Sequence, residues 1–207
     1  MDKIGEVVEA TTGEFTAQSY QLHWAPSLGS LVKTGAPVVG TVHESPLQTG
    51  PNAIYGVVCH ICTASLEPGR RAMARGRDLE EEEEVYKQNP QLDHLMRTSF
   101  SVLIVGHTDG SRICHYLPPR PPRIHAFVYP CPQDEVAGFT QALDFLNLLL
   151  SASLPIPAEE LVAACLRTAA TAREDSRAFL VRAGKELAFL LAAEPARLNA
   201  ILRKIRP

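Results

Sequence analysis

Near Gln133 the hydrophobic pattern changes period, and that change limits the chain to folds in which strands come first and helices follow. Before it, short apolar runs alternate with turn residues; after it, apolar residues recur every three or four positions. Just ahead of the change lies Leu117-Pro118-Pro119-Arg120-Pro121-Pro122-Arg123, whose four prolines fix an extended backbone and remove four amide donors. That stretch can be neither helix nor central strand. It is a stiff connection running over the surface.

The first part supplies the strands. Ile4–Ala10 and Glu14–Ala17 are separated by Thr11-Thr12-Gly13, which suits a turn. Leu31-Val32, Pro37–Val42, Ala53–Cys62, Phe100–Gly106, Arg112–Tyr116 and Ile124–Tyr129 continue the pattern, with Asp109-Gly110 as a hairpin signal. Many short strands rich in β-branched residues predict a barrel or sandwich, and Gly5, Gly40 and Gly56 stand where a barrel needs sharp coiling. Between two of these strands the acidic run Glu80–Glu84 and the segment Asn89–Met96, with Pro90 in a first helical turn, predict a charged, partly helical excursion over about 70–97.

From Gln133 the stripe Val136, Phe139, Leu143, Leu146, Leu150 predicts one helix. Pro155 and Pro157 end it, and further helices follow from Ala158, from about Asp175 and from Pro195. The fold class is therefore α+β: a small barrel of about six strands over 1–132, then a bundle of about four helices over 133–207. The proline passage places a boundary near Pro132, so a barrel ending there is expected to stand alone.

Function is bounded first by exclusion. A formal net charge of −3 offers no global basic field to a phosphate backbone. The start Met1-Asp2-Lys3-Ile4-Gly5 lacks the apolar core of a secretory signal, and the stretch Leu143–Leu154 holds Asp144 and Asn147, so a cytoplasmic chain without a membrane span is expected. Five cysteines in a reducing compartment read as free thiols. Cys59-His60-Ile61-Cys62 has zinc-knuckle spacing, and Cys114-His115 could complete a set of four. A strand through Cys59 and Cys62 sends the two thiols to opposite faces, which argues against one shared metal. No phosphate-binding Gly-x-x-x-x-Gly-Lys-Ser/Thr loop, Gly-x-Ser-x-Gly elbow or His-Glu-x-x-His helix occurs, so an enzyme is not expected, nor any metal or cofactor. His107, His115 and His125 could face one end of the barrel, but nothing frames them as a site.

The runs Ile4-Gly5-Glu6-Val7-Val8-Glu9 with Glu14-Phe15-Thr16, Leu28-Gly29-Ser30-Leu31-Val32 and Gly56-Val57-Val58, and the tract Pro118-Pro119-Arg120-Pro121-Pro122, together resemble the HAS-barrel, the six-stranded barrel shared by the HerA DNA translocase and the rotary ATP synthase subunits. The likeness covers roughly residues 4–130. The whole chain is similar to stand-alone HAS-barrel proteins of photosynthetic bacteria, which carry a helical tail in place of a motor. The resemblance implies a barrel that supplies no catalytic residue: in HerA it helps dock a nuclease partner, and in ATP synthase it ties neighbouring subunits into a crown. The excursion with Glu80–Glu84 departs from the compact family barrel.

These readings converge on a non-catalytic adaptor that docks on a larger protein assembly. Arg70 and Arg71 after a Pro-Gly turn, and Arg120 and Arg123 on the proline connection, are the candidate partner-binding residues, since a guanidinium offers a planar fork of donors. The alternative is a nucleic-acid-binding accessory protein of a DNA-processing ATPase, in which these arginines with Arg75 and Arg77 would line a groove. An aromatic content of 6%, not interleaved with the arginines, favours the protein partner. Self-association is compatible with either.

Overall fold

The computed structural model describes residues 2–35, 53–67, 69, 71–110 and 112–205. The strands, all antiparallel, are β1 (Gly5–Ala10), β2 (Glu14–Ser19), β3 (Leu31–Thr34), β4 (Ile54–Ser65), β5 (Met96–Asp109), β6 (Arg112–Cys114) and β7 (Phe127–Pro130). Helices α1 (Glu82–Gln88) and α2 (Leu92–Leu95) occupy the excursion between β4 and β5. After the strands come α3 (Gln133–Phe139), α4 (Leu146–Ser151), α5 (Ala158–Thr171), α6 (Ser176–Leu190) and α7 (Pro195–Lys204). The order β2-β1-β7-β3-β4-β5 is closed by pairing of β5 with β2, so six strands form a barrel and β6 hangs on β5 as a hairpin. The expected strand over Pro37–Val42, with Gly40, lies outside the described residues.

Closure depends on sharp coiling, and two of the expected glycines sit where it happens. A Cβ on Gly5 would run into the Gln18 carbonyl of β2, and one on Gly56 into the Val102 side chain of β5. Gly56 also adjoins a register shift in the β4–β5 pairing, the local irregularity that bends a strand into a corner.

The barrel has two apolar faces rather than one. Its interior is filled from every strand of the closed ring by residues such as Val7, Phe15, Val32, Val58, Phe100 and Val128. The outward residues of β3, β4 and β5, namely Leu31, Tyr55, Val57, Cys59 and Val105, belong instead to the core that the helices build. This double burial explains why Ile54–Cys59 reads as an unbroken apolar run: alternate side chains serve different cores. Within the helical region α5 is central, touching α3, α4, α6 and α7, and eight of its residues are buried. A polar latch completes the junction. Glu135 of α3 accepts from Lys33 Nζ at 2.6 Å and from the Tyr55 hydroxyl at 2.7 Å, and burial followed by the Glu135 contact raises the Tyr55 pKa, keeping it a donor.

The single helix expected through Val136–Leu150 is instead two, α3 and α4, broken after Phe139. The carbonyls freed by the break, and the Thr140 hydroxyl beside them, accept from side chains remote in sequence. Arg173 donates to Ala137 O and Thr140 Oγ1, Arg182 to Thr140 O and Gln141 O, and His115 Nε2 to Phe139 O at 2.9 Å. A continuous apolar stripe could not reveal a break that is stabilised by partners on α6, the α5–α6 turn and the β6 end.

The shared core argues against a barrel ending near Pro132 that stands alone. Without the helices, Leu31, Tyr55, Val57, Cys59 and Val105 would face water. At about 1.5–3 kcal/mol for each large apolar side chain, the loss rivals the ~5–15 kcal/mol stability of an ordinary domain. A chain ended after Pro132 should therefore aggregate or bind an apolar dye and lose its cooperative melt. A soluble monomer with strand-type circular dichroism and a sharp melt would contradict the shared-core account.

A candidate docking face on the uncovered barrel wall

The helices pack on the outside of β3, β4 and β5, and among the described residues no helix covers the wall of β2, β1 and β7. Its outward side chains follow from the register. Gly5 and Val7 of β1 and Val128 of β7 are buried inward, so Glu6, paired with Gln18 on one side and Phe127 on the other, points out. Phe127 is 41% exposed, Tyr20 at the end of β2 is 51%, and Ile124 is 49%. Val8, beside the β-bulge in β1, is exposed with them.

These residues form one network. Lys3 Nζ lies 4.0 Å from the Phe127 ring centroid and 5.4 Å from that of Tyr20, so a single ammonium bridges both aromatic faces. The Tyr20 hydroxyl donates to Glu6 Oε2 at 3.3 Å, and His125 Nδ1 sits 3.1 Å from Glu6 Oε1. Partial burial, then the Glu6 carboxylate, raises the Tyr20 pKa, which keeps the phenol neutral and donating. The face thus interleaves exposed aromatic and aliphatic side chains with Lys3, Glu6 and His125, an apolar patch crossed by charge that suits a partner bringing both apolar and polar groups.

The proline connection frames this face. Pro118 and Pro122 are buried while Arg120 and Arg123 are exposed, so the prolines anchor the segment and hold the arginines outward. The segment ends in a turn, Ala126 N to Arg123 O at 3.0 Å, in which His125 takes φ 66. The left-handed conformation is uncommon for a residue with a Cβ. It is fixed by His125 N donating to Val7 O at 2.8 Å and Val7 N to Ala126 O at 2.9 Å, and it delivers Ile124 and His125 beside Phe127.

The four arginines singled out by sequence are distributed over two connections. Arg123 opens the turn that leads into Phe127 on the wall, and Arg120 is exposed three residues earlier on the proline connection. Arg71 lines a groove of about 510 Å3 in the excursion, with Met73, Arg75, Arg77, Tyr86 and Leu95; Arg70 lies outside the described residues.

Of the three histidines, His107 and His115 lie close together at the β5–β6 hairpin, His107 being paired with Cys114, while His125 lies on the other wall. His107 is buried against Tyr116, His115 packs on Phe139 and Phe145, and His125 lies on the open wall with Glu6. The aromatic pair on the wall escaped sequence reasoning because Tyr20 and Phe127 meet only through the pairing of β1 with both β2 and β7. The one available signal was Ile124–Tyr129, whose bulky residues fall on both faces of its strand.

Cys59 is buried in the helical core and donates to Ser101 O, Cys62 is exposed, and the described residues hold no group of three or more His, Cys, Asp or Glu placed to bind a metal. Burial pushes the Cys59 thiol up to about 11 and Cys165 to about 12, and burial with the nearby Glu135 also raises Cys131. In native protein at neutral pH a thiol reagent should modify Cys62 in the fast phase, Cys62→Ser should abolish that phase, and denaturant should release all five cysteines. Fast labelling of Cys59, Cys131 or Cys165 would contradict this burial. No protein-family model matches the chain, and no curated protein matches it, so the chemistry of the open wall is what speaks for its use.

Proposed function

We propose that this chain is a non-catalytic adaptor of the HAS-barrel kind, working inside the cell, whose helices buttress one side of the barrel while the other side docks on a larger protein assembly. The observation that carries the reading is this wall, where Tyr20, Phe127, Ile124 and Val8 are exposed, with Arg123 at the turn that leads into it and Arg120 exposed on the proline connection before that turn. Aromatic and arginine side chains are the residues that most often anchor protein interfaces. Large apolar groups left in water on a chain with ample internal core are best accounted for by a partner that covers them.

The nucleic-acid alternative is weaker on the same wall. Tyr20 and Phe127 could stack bases, and Lys3, Arg120 and Arg123 could meet phosphates. Glu6, however, sits at the centre of the network, held by Tyr20 and His125, with Asp2 and Glu9 on the same segment. A fixed carboxylate between the stacking rings repels a phosphate backbone and suits a partner that brings a donor.

The test is quantitative capture from native extract with three forms of the chain: wild type, Tyr20→Ala with Phe127→Ala, and Arg120→Ala with Arg123→Ala. Replacing an aromatic anchor costs about 2 kcal/mol or more, so the first variant should weaken capture of its principal protein partner at least ~10-fold. The arginine variant should weaken it less and make it less sensitive to salt, with the thermal midpoint nearly unchanged in both. Unchanged capture by both variants would contradict docking through this wall, and capture of nucleic acid alone would favour the alternative.

A further inference from the structure

A closed barrel has no strand edges, yet β4 continues well past the end of its neighbour. Strand β3 pairs with Ile54–Val57, and the last contacts on that side are Val58 N to Ser30 O and Gly29 N to Val58 O. Strand β4 runs on to Ser65, paired on its other side with β5 all the way to Met96. From His60 to Ser65 its second edge has no strand beside it among the described residues.

The direction of the backbone groups on that edge follows from two fixed points. At Val58 the amide and carbonyl face the β3 side; beyond the register shift between Val58 and His60, Leu66 N donates to Leu95 O, on the β5 side. Strict alternation between those points turns the N–H and C=O of Ile61, Thr63 and Ser65 away from β5, and no described backbone hydrogen bond takes them up. The side chains of His60, Ile61, Cys62 and Ala64 are exposed as well.

Soluble proteins protect such edges with charge, proline or short length. Strand β6, a second open edge among the described residues, has such protection: it spans Arg112–Cys114 and carries a cation. The β4 stretch His60-Ile61-Cys62-Thr63-Ala64-Ser65 contains no Lys, Arg, Asp, Glu or Pro, and two of its residues are β-branched. An antiparallel edge is also complementary to itself under a two-fold rotation, because each outward-facing residue offers one donor and one acceptor. A neutral strand meets its own copy without like-charge repulsion.

We propose that two copies of this chain associate by antiparallel pairing of the β4 edge over Ile61–Ser65, continuing the β4–β5 ribbon into a four-stranded sheet. The pairing is independent of the open wall of β1, β2 and β7, so either proposal can fail without the other. A two-fold axis near Cys62 or Thr63 sets Ile61 against Thr63 or Ser65 of the second copy. The two Cys62 side chains then lie directly opposite or diagonally across the pair, roughly 5–8 Å apart.

The experiment uses the full chain, with light scattering after size exclusion and cross-linking by a short bismaleimide. The expected result is twice the chain mass, a covalent dimer through Cys62, and loss of that cross-link in Cys62→Ser while the non-covalent dimer persists. Ile61→Lys and, separately, Ala64→Lys, both at exposed positions, should shift the dissociation constant upward, the variant whose two copies lie diagonally across the pair by about 3-fold or more and the other less, so that the stronger of the two marks the axis at Cys62 or at Thr63. A monomer at every concentration would overturn the proposal, as would a dimer that ignores both lysine variants or leaves Cys62 uncross-linked. Protection of the β4 edge in a monomer complexed with a different protein would overturn it too, assigning the edge to that partner.

Discussion

Burial of β4 on both faces is the constraint on which the rest of the structure depends. Ile54 and Val58 fill the barrel, while Tyr55, Val57 and Cys59 fill the space beneath the helices. A strand that serves two cores cannot be removed from either. The Lys33–Glu135–Tyr55 cluster fixes where α3 lands; its contribution lies in position more than in energy, because desolvating a charged pair offsets much of its attraction. Once α3 is seated, its C-terminal carbonyls meet Arg173 and Arg182, and the packing of α5 and α6 follows.

That arrangement makes the barrel asymmetric, and the asymmetry is what creates a candidate for function. One half of the wall is spent on the helices. The other half keeps aromatic rings in water, held in place by Lys3 and Glu6 rather than collapsed onto the surface. Preorganised rings of this kind lose little entropy when a partner covers them. The proline connection acts in the same sense, since the buried Pro118 and Pro122 hold Arg120 and Arg123 outward on a backbone with few conformations to lose.

Much of the architecture was legible because it is written in local periodicity. The change near Gln133 falls between the end of β7 at Pro130 and the start of α3 at Gln133, and the glycines at 5 and 56 stand at close approaches of neighbouring strands. What could not be read is whatever depends on partners distant in sequence. The stripe from Val136 to Leu150 looked continuous, since the arginines that stabilise its interruption lie on a later helix and turn. The apolar run Ile54–Cys59 signalled burial but not that its two faces belong to different cores. Tyr20 and Phe127 were ordinary strand aromatics until β1 paired with β2 and β7, so the aromatic part of the candidate site was hidden in the sequence, which pointed only to the arginines of the neighbouring connection.

The claim that barrel and helices form one cooperative unit is open to a direct measurement, because the chain has a single tryptophan. Trp24 lies on the β-side connection between β2 and β3, next to His23, whose amide donates to Thr98 of β5. Its fluorescence therefore reports the barrel, while the far-ultraviolet helix band reports the C-terminal region. Equilibrium unfolding in urea followed by both signals should give superimposable transitions with one midpoint and one slope. Two separated transitions, with the helices melting while Trp24 keeps its native emission, would contradict the shared core.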